Sequence, residues 1–433
     1  MVFPFLAQTL CALAASGDEY WDSAFGVPGA DGPVWAITVH GSHVYVGGSF
    51  TEIGGVSANN IAKWDGTNWS ALGAGLTGGA LPEIHTIAFV GERLYAGGFF
   101  TQAGSVGASS IATWDGINWT AVRDGVSGGV RALAVVDNSL FVGGSFSSAG
   151  QLTVNNIAKW DGTNWTPLGD GIVGTAVDSL AASDGSVYAG GRFTIAGGIG
   201  ATNIAKWDGT NWYALGQGLR AYDGVGGENA IVRALLVTGT AIYAGGGFRL
   251  AGEVGATNIA GWDGTKWRSL AGGIDMSGEV YALVASGNYL YAGGFFGSAG
   301  GNAANDIAIW NSNDWLNLGS GIGNRNSSAT VLALASNGNE LYVGGGGITL
   351  AGANASTNLA LWYIPYSLRL SQAGNQLSLR WPATGTNFVL DAKDNITATN
   401  WSEVSSSHVL HNNECVVTDT VAGPQKFYRL RKK

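Results

Sequence analysis

The sequence predicts an all-β chain: a seven-bladed β-propeller closed by an N-terminal strand, followed by a small C-terminal β-sandwich. Three observations predict it. A hairpin-sized unit, Asn60 to Gly73 (N-I-A-K-W-D-G-T-N-W-S-A-L-G), recurs with its first tryptophan at Trp64, Trp114, Trp160, Trp207, Trp262, Trp310 and Trp362. An aromatic residue followed by Gly-Gly recurs seven times as well, at Tyr45, Tyr95, Phe141, Tyr188, Tyr243, Tyr291 and Tyr342. The 46 to 55 residues between successive tryptophans are the length of a four-stranded blade. After Pro365 the repeat stops and short alternating segments take over.

Residues 1–16 read as an export signal. They are apolar from Val2 to Ala15 and end on small residues, without the usual basic residue near the start. Cys11 lies inside this segment, preceded by Leu10 where lipid attachment wants a small residue. Cys415 is the only other cysteine, so a mature chain has no internal disulfide. That suits a bacterial exported protein better than a disulfide-framed ectodomain. No other apolar run is long enough to span a bilayer.

Residues 17–364 form the expected propeller. In the second repeat the strands are expected at Ile84–Val90, Arg93–Gly98, Ile111–Trp114 and Trp119–Val122. The first two are rich in Ala and Gly and the last two each carry a Trp. Blades crowd at an axis and splay outward, so small side chains suit the inner strands and tryptophans fill the outer gaps. The seventh repeat ends at Tyr363-Ile364-Pro365 without its second tryptophan, and Trp21 supplies the missing one. The N-terminal segment is therefore expected to pair with Ala360–Trp362 as the outermost strand, with Trp21 and Phe25 buried. Such closure leaves no long edge exposed. The longest irregular connection, Leu219–Ile231, carries Arg220, Tyr222, Asp223 and Glu228, a mix suited to polar recognition.

Residues 365–433 are expected to form a separate sandwich-like domain with a core around Trp381, Phe388, Val389, Trp401 and Tyr428.

Charge is sparse: 12% of residues, with a formal net of −9. Residues 366–433 carry eight Lys/Arg against five Asp/Glu, a net of +3, which leaves −12 for the rest. A propeller of that sign is a poor partner for nucleic acid or an anionic membrane.

The repeat Y-x-G-G followed by W-D-G-T-N-W-x-x-L-G resembles a kelch-type repeat. With N-I-A-x-W-D-G and L-Y-x-G-G-x-F-T-x-A-G it is similar to secreted bacterial propeller arrays and to the repeats of the fungal cortical polarity-marker family. The tail, W-P … F-V-L … W-x-x-V … F-Y-R-L, is similar to small C-terminal β-domains of large exported bacterial proteins. The resemblance covers about residues 18 to 363 and implies an extracellular or cell-surface protein without established catalysis. The sixth repeat departs from the pattern at Asn311 and the seventh at Gly344–Gly347 and Ile348.

Chemistry is harder to find. The aspartates of the W-D-G turns (Asp65, Asp115, Asp161, Asp208, Asp263) stand one per blade, too far apart to share the six to eight oxygens that calcium takes, and read as turn residues. His40 with His43, and His408 with His411, lack a third ligand at metal spacing. Copper-radical oxidases of kelch architecture need a cysteine cross-link, and sialidase propellers need S-x-D-x-G-x-x-W boxes; neither is present. No nucleophile elbow, phosphate loop or H-E-x-x-H motif occurs. The expectation is a non-catalytic protein with no catalytic residue, no cofactor and no metal.

One internal comparison does point to a site. Early in each first strand a single position varies between constant Val/Ile and mostly Ala neighbours: Trp35, His85, Arg131, Asp178, Arg233, Tyr281 and Leu332. If first strands are innermost, His85, Arg131, Asp178, Arg233 and Tyr281 line one mouth of the channel as a ligand site. The competing and weightier account sends them into varied solvent or interblade gaps. The function expected is binding, adhesion or surface scaffolding by an exported monomer with a protein or glycan ligand. A polysaccharide-directed lectin or enzyme using the channel mouth is the alternative, and a spacer that displays the C-terminal domain is a third.

Overall fold

The structure, a computed structural model, describes residues 17–221, 230–323 and 329–365. Beyond those it describes 368–373, 376–382, 388–394, 400–404, 409–411, 414–420 and 426–432. The described residues from Trp21 to Trp362 form one compact unit, and those before Trp21 group with those from Tyr363 onward in another.

The larger unit repeats one antiparallel sheet. Its second copy has strands Glu83–Val90, Arg93–Phe99, Ile111–Trp114 and Trp119–Ala121, hydrogen-bonded in that order. The first strand of each copy lies against the first strand of the next. This is β-propeller architecture, with the alanine- and glycine-rich strands inside. Among the described residues seven such sheets occur, the last with three strands, Thr330–Ser336, Glu340–Gly346 and Leu359–Tyr363. In the fourth sheet the first two strands lengthen into one hairpin, Ile172–Ser183 with Ser186–Ala196.

Two local devices explain why the sequence folds this way. In the Trp-Asp-Gly turn, Asp65 Oδ1 accepts from the backbone N–H groups of Thr67 and Asn68 at 2.8 and 2.7 Å, and Gly66 takes a φ of +99°. The same two bonds recur at Asp115, Asp161, Asp208 and Asp263. Asn311 makes them in the sixth sheet, so that departure leaves the turn intact. These hydrogen bonds hold the Asp65 carboxyl below its usual range, the Asn68 amide contributing most. The two strands flanking the turn put Trp64 opposite Trp69 with ring centroids 5.3 Å apart.

The second device ties neighbours together. Trp119 Nε1 donates to the Leu72 carbonyl of the preceding sheet at 2.7 Å. Trp212 to Leu168, Trp267 to Leu215 and Trp315 to Leu270 repeat the bond at 2.8–2.9 Å. Each of these four indoles thereby buries its ring while its one polar atom stays satisfied, whereas Trp165 Nε1 of the third sheet is buried without a hydrogen bond among the described residues.

Trp21 follows the same rule. Its Nε1 donates to Leu318 O at 3.2 Å, its backbone bridges Trp362, and Asp22 N donates to Leu361 O at 2.8 Å. The pairing is a single bridge rather than the strand expected from the sequence. Asp22 Oδ1 then caps the N–H groups of Ala24 and Phe25 and turns the chain away. Phe25 packs against Trp64 and Trp69 of the first sheet and Tyr342 of the seventh, with centroids 5.6–5.7 Å apart.

The smaller unit has two antiparallel sheets. One runs Arg369–Ala373, Gln376–Pro382, Glu414–Thr420, Val409–His411; the other runs Ser402–Glu403, Phe388–Lys393, Phe427–Lys432. Leu377, Leu379, Trp381, Cys415 and Val417 from the first meet Phe388, Leu390, Tyr428 and Leu430 from the second in one core. Trp401 is not in that core as expected: it is half-buried, with Lys393 Nζ 4.6 Å and Arg429 Cζ 4.7 Å from its ring. A ring flanked by two cations gains from its quadrupole instead. Asp391 is 2% exposed, and Arg429 and Arg431 donate to it.

Residues 1–16 and 222–229 lie outside the described residues, and with them the segment expected to be an export signal and Tyr222, Asp223 and Glu228. Leu219–Arg220 form a short strand paired with Leu250–Ala251.

Candidate functional site

All seven varied positions occupy one backbone irregularity. In the second sheet Ile84 pairs with Gly98 and Thr86 with Gly97, leaving His85 as the extra residue of a β-bulge. Trp35, Arg131, Asp178, Arg233, Tyr281 and Leu332 are skipped in the same way. A bulged residue has no cross-strand partner and its side chain is re-aimed, so packing does not dictate its identity. Its neighbours, by contrast, are fixed. Val130 presses on Gly97 of the preceding sheet so closely that a Cβ there would fall 2.4 Å from it.

The bulged side chains meet one another between sheets. Trp35 and His85 have ring centroids 5.0 Å apart, and His85 and Phe99 5.5 Å. Arg131 lies over Phe99, its Cζ 5.5 Å from the centroid, and reaches Asp178 at 3.5 Å. Asp178, with its side chain 6% exposed, has Arg192 on its other side at 3.7 Å. Arg131 Nε, Arg192 Nε and Asp178 Oδ2 are buried without hydrogen bonds among the described residues, so these pairs hold by charge at contact distance. Further round, Arg233 donates to Glu279 at 2.7 Å and lies over Tyr281, 4.7 Å from its centroid.

The five expected residues thus fall into pairs. Three guanidinium groups face two carboxylates, Arg131 and Arg192 on Asp178 and Arg233 on Glu279, and the third carboxylate, Glu83, meets His85. His85 joins the set as a neutral base: burial pushes its pKa down, against the opposing pull of Glu83, which it meets at 2.9 Å. The set is therefore balanced in formal charge.

Beside two of these residues the surface opens. A cleft of about 780 Å³ between the second and third sheets is lined by Leu81, Glu83, His85, Phe99, Ser127 and Arg131, among others. Gly129 leaves room for its aromatic wall, since a Cβ there would fall 2.1 Å from the Phe99 ring. Leu81, 76% exposed, stands at its edge. The cleft offers an aromatic face, hydroxyls, a guanidinium and a carboxylate–imidazole pair.

Arg192 and Phe99 were not singled out from the sequence, although a signal for them exists. The residue after each Gly-Gly also varies: Ser49, Phe99, Ser145, Arg192, Gly247, Phe295 and Gly346. Glu83 and Glu279 each stand two residues before a bulge, where other repeats have Pro33, Gly129, Ala176, Ile231 and Thr330.

No family model matches the chain, and no curated protein does. Among solved structures the chain is similar to YCF48 bound to D1 peptide, at 14% identity over 70% of this chain and 94% of that one, TM-score 0.37. It is similar to the Neurospora crassa Pan2 WD40 domain at 9% identity over 79% and 92%, TM-score 0.42. The computationally designed Ika4 protein matches at 17% over 41% and 92%, TM-score 0.27. At these scores the comparisons assign no function.

Proposed function

We propose that the chain is an exported, monomeric, non-catalytic binding protein of the bacterial cell surface or exterior. It is a seven-bladed propeller closed by its N-terminal segment, carrying a small β-sandwich. It takes a protein or glycan ligand in the cleft between the second and third blades. The observation that carries this reading is the bulge: the fold frees one side chain per sheet from packing, and two of them, His85 and Arg131, line an open cleft. The seven-membered ring is supported by the contacts of first strands, which run sheet to sheet and return from Thr330–Ser336 to Val34–His40. A Cβ at Gly344 would fall 2.4 Å from Val34, the approach Gly97 makes to Val130. Export rests on the composition of residues 1–16.

A second reading is a polysaccharide-directed lectin or enzyme, favoured by the Glu83–His85 pair. A carboxylate holding a neutral imidazole beside hydroxyls is a general-base arrangement. Screening residues 17–433 on glycan and peptide arrays tests both readings. With His85 and Arg131 both changed to alanine, hits at this site must vanish while the melting temperature moves little; hits that persist place the site elsewhere. Glu83→Gln separates the two, since a binding protein keeps its ligand and an enzyme loses turnover on that ligand.

A further inference from the structure

Each sheet has one residue of positive φ just before its third strand: Asn60, Ser110, Asn156, Asn203, Asn258, Asp306 and Asn358, at 57° to 66°. The asparagines join two sheets. Asn60 Oδ1 accepts from Phe50 N at 3.0 Å, and its Nδ2 donates to Leu76 O, on the segment entering the next sheet, at 2.8 Å. Asn156 does so with Phe146 and Ile172, Asn203 with Phe193 and Leu219, Asn258 with Phe248 and Asp275, and Asn358 with Ile348 and Ala30.

Asp306 keeps the first half of this clamp, accepting from Phe296 N at 2.9 Å, and is 9% exposed. It has no amide for the second half. The next segment still arrives in the same way, with Ile322 N donating to Asn305 O at 3.0 Å as Leu76 N donates to Asn59 O at 3.1 Å. The Ile322 carbonyl therefore stands where an amide proton is expected. An ionised carboxylate only accepts hydrogen bonds, whereas a carboxylic acid both accepts and donates. We infer that Asp306 is a proton-operated clamp between the sixth and seventh sheets: as an acid it donates to the Ile322 carbonyl like its asparagine counterparts, and as a carboxylate it opposes that carbonyl and loosens the junction.

The charges around it agree. Among the described residues, the charged group facing Asp306 is Asp275, whose carboxylate is held by the N–H groups of Gly297 and Ser298. Burial first, with Asp275 adding to it and Phe296 N opposing, pushes the Asp306 pKa up to about 7 from 3.8. A raised carboxyl binds its proton more tightly folded than unfolded. Its contribution is complete below pH 3.8, fades as pH rises, and is gone just above about 7.

The test compares thermal unfolding of wild type and Asp306→Asn from pH 4 to 8.5, with amide exchange read at Ile322 and in the seventh sheet. The difference between the two proteins cancels the titrating groups that Asp306 does not touch, leaving Asp306 and the neighbouring Asp275. Asp306→Asn is expected to melt at least a few degrees above wild type at pH 8, with the gap shrinking steadily toward pH 4 and Ile322 better protected in the variant at pH 8. Asp306→Ser, which copies Ser110 of the second sheet, should also lose the wild-type slope. A gap that stays constant with pH, or an Asp306→Asn no more stable than wild type at pH 8, overturns the clamp.

Discussion

The outer and inner strands of the propeller obey opposite rules. Outside, one tryptophan pair and one capped turn recur from sheet to sheet, and Trp119, Trp212, Trp267 and Trp315 bond to the same place on the preceding sheet. Inside, the bulge presents indole, imidazole, guanidinium, carboxylate, phenol and isobutyl groups at one backbone position. The outer residues are the same because each has the same neighbours to fill. The inner residues differ because the bulge removes the cross-strand partner that would select them. Repetition in this chain marks packing, and variation set within repetition marks positions that packing does not select.

The comparison breaks most plainly if the two regions contribute alike to stability. Trp119→Ala removes a ring and one of the two hydrogen bonds to the Leu72 carbonyl, and is expected to cost about 3–5 kcal/mol in urea unfolding. Tyr281→Ala, at a half-buried bulge, should cost about 1 kcal/mol or less. Equal losses would mean that the bulge residues are core after all.

Gly97→Ala and Gly344→Ala sharpen it next. Both glycines admit a valine of the adjoining sheet, and each variant should lose about 1–3 kcal/mol through overpacking. The ring predicts equal losses at the two sites. A harmless Gly344→Ala would leave the seventh sheet unattached to the first.

Asp178 is the inner residue for which the rule should fail. It is the buried member of a triad, and Asp178→Ala leaves Arg131 and Arg192 facing each other. Because both arginines are partly exposed, the expected cost is about 1–3 kcal/mol, below that of a fully buried pair. The double variant with Arg192→Ala should recover part of it, which a mutant cycle reads directly.

The contrast also explains what could be read without coordinates. In the second sheet the strands were legible to within a residue, because alternation, Gly-Gly and Trp-Asp-Gly are consequences of close packing and turn geometry. The extension of the fourth hairpin to Ala196 was not, since Phe193-Thr194-Ile195 does not differ in kind from its counterparts. At the site, the varied column was visible, but the partners were not. Arg192 and Glu279 come from a second strand and from the strand entry, and only the pleat and the bulge bring them to Asp178 and Arg233. Asp306 hides for the opposite reason: one atom separates it from asparagine, and only the carbonyls bonded by its asparagine counterparts show what that atom changes.

The smallest expected effect comes from His85. Burial disfavours its charged form, so its folded pKa lies below the 6.5 of an unfolded histidine. Between those values the unfolded chain binds the extra proton, so this contribution to stability is fully present above 6.5 and is lost as pH falls through the folded pKa. The sign is opposite to that of Asp306, and the two separate by mutation. His85→Gln should flatten the acid side of the stability curve measured against wild type, by well under the effect of Asp178→Ala, because Glu83 at 2.9 Å already offsets part of the penalty. If His85→Gln instead steepens that acid side, the imidazole is charged in the folded protein. The cleft would then carry a net positive charge, and an anionic ligand would become the better candidate for it.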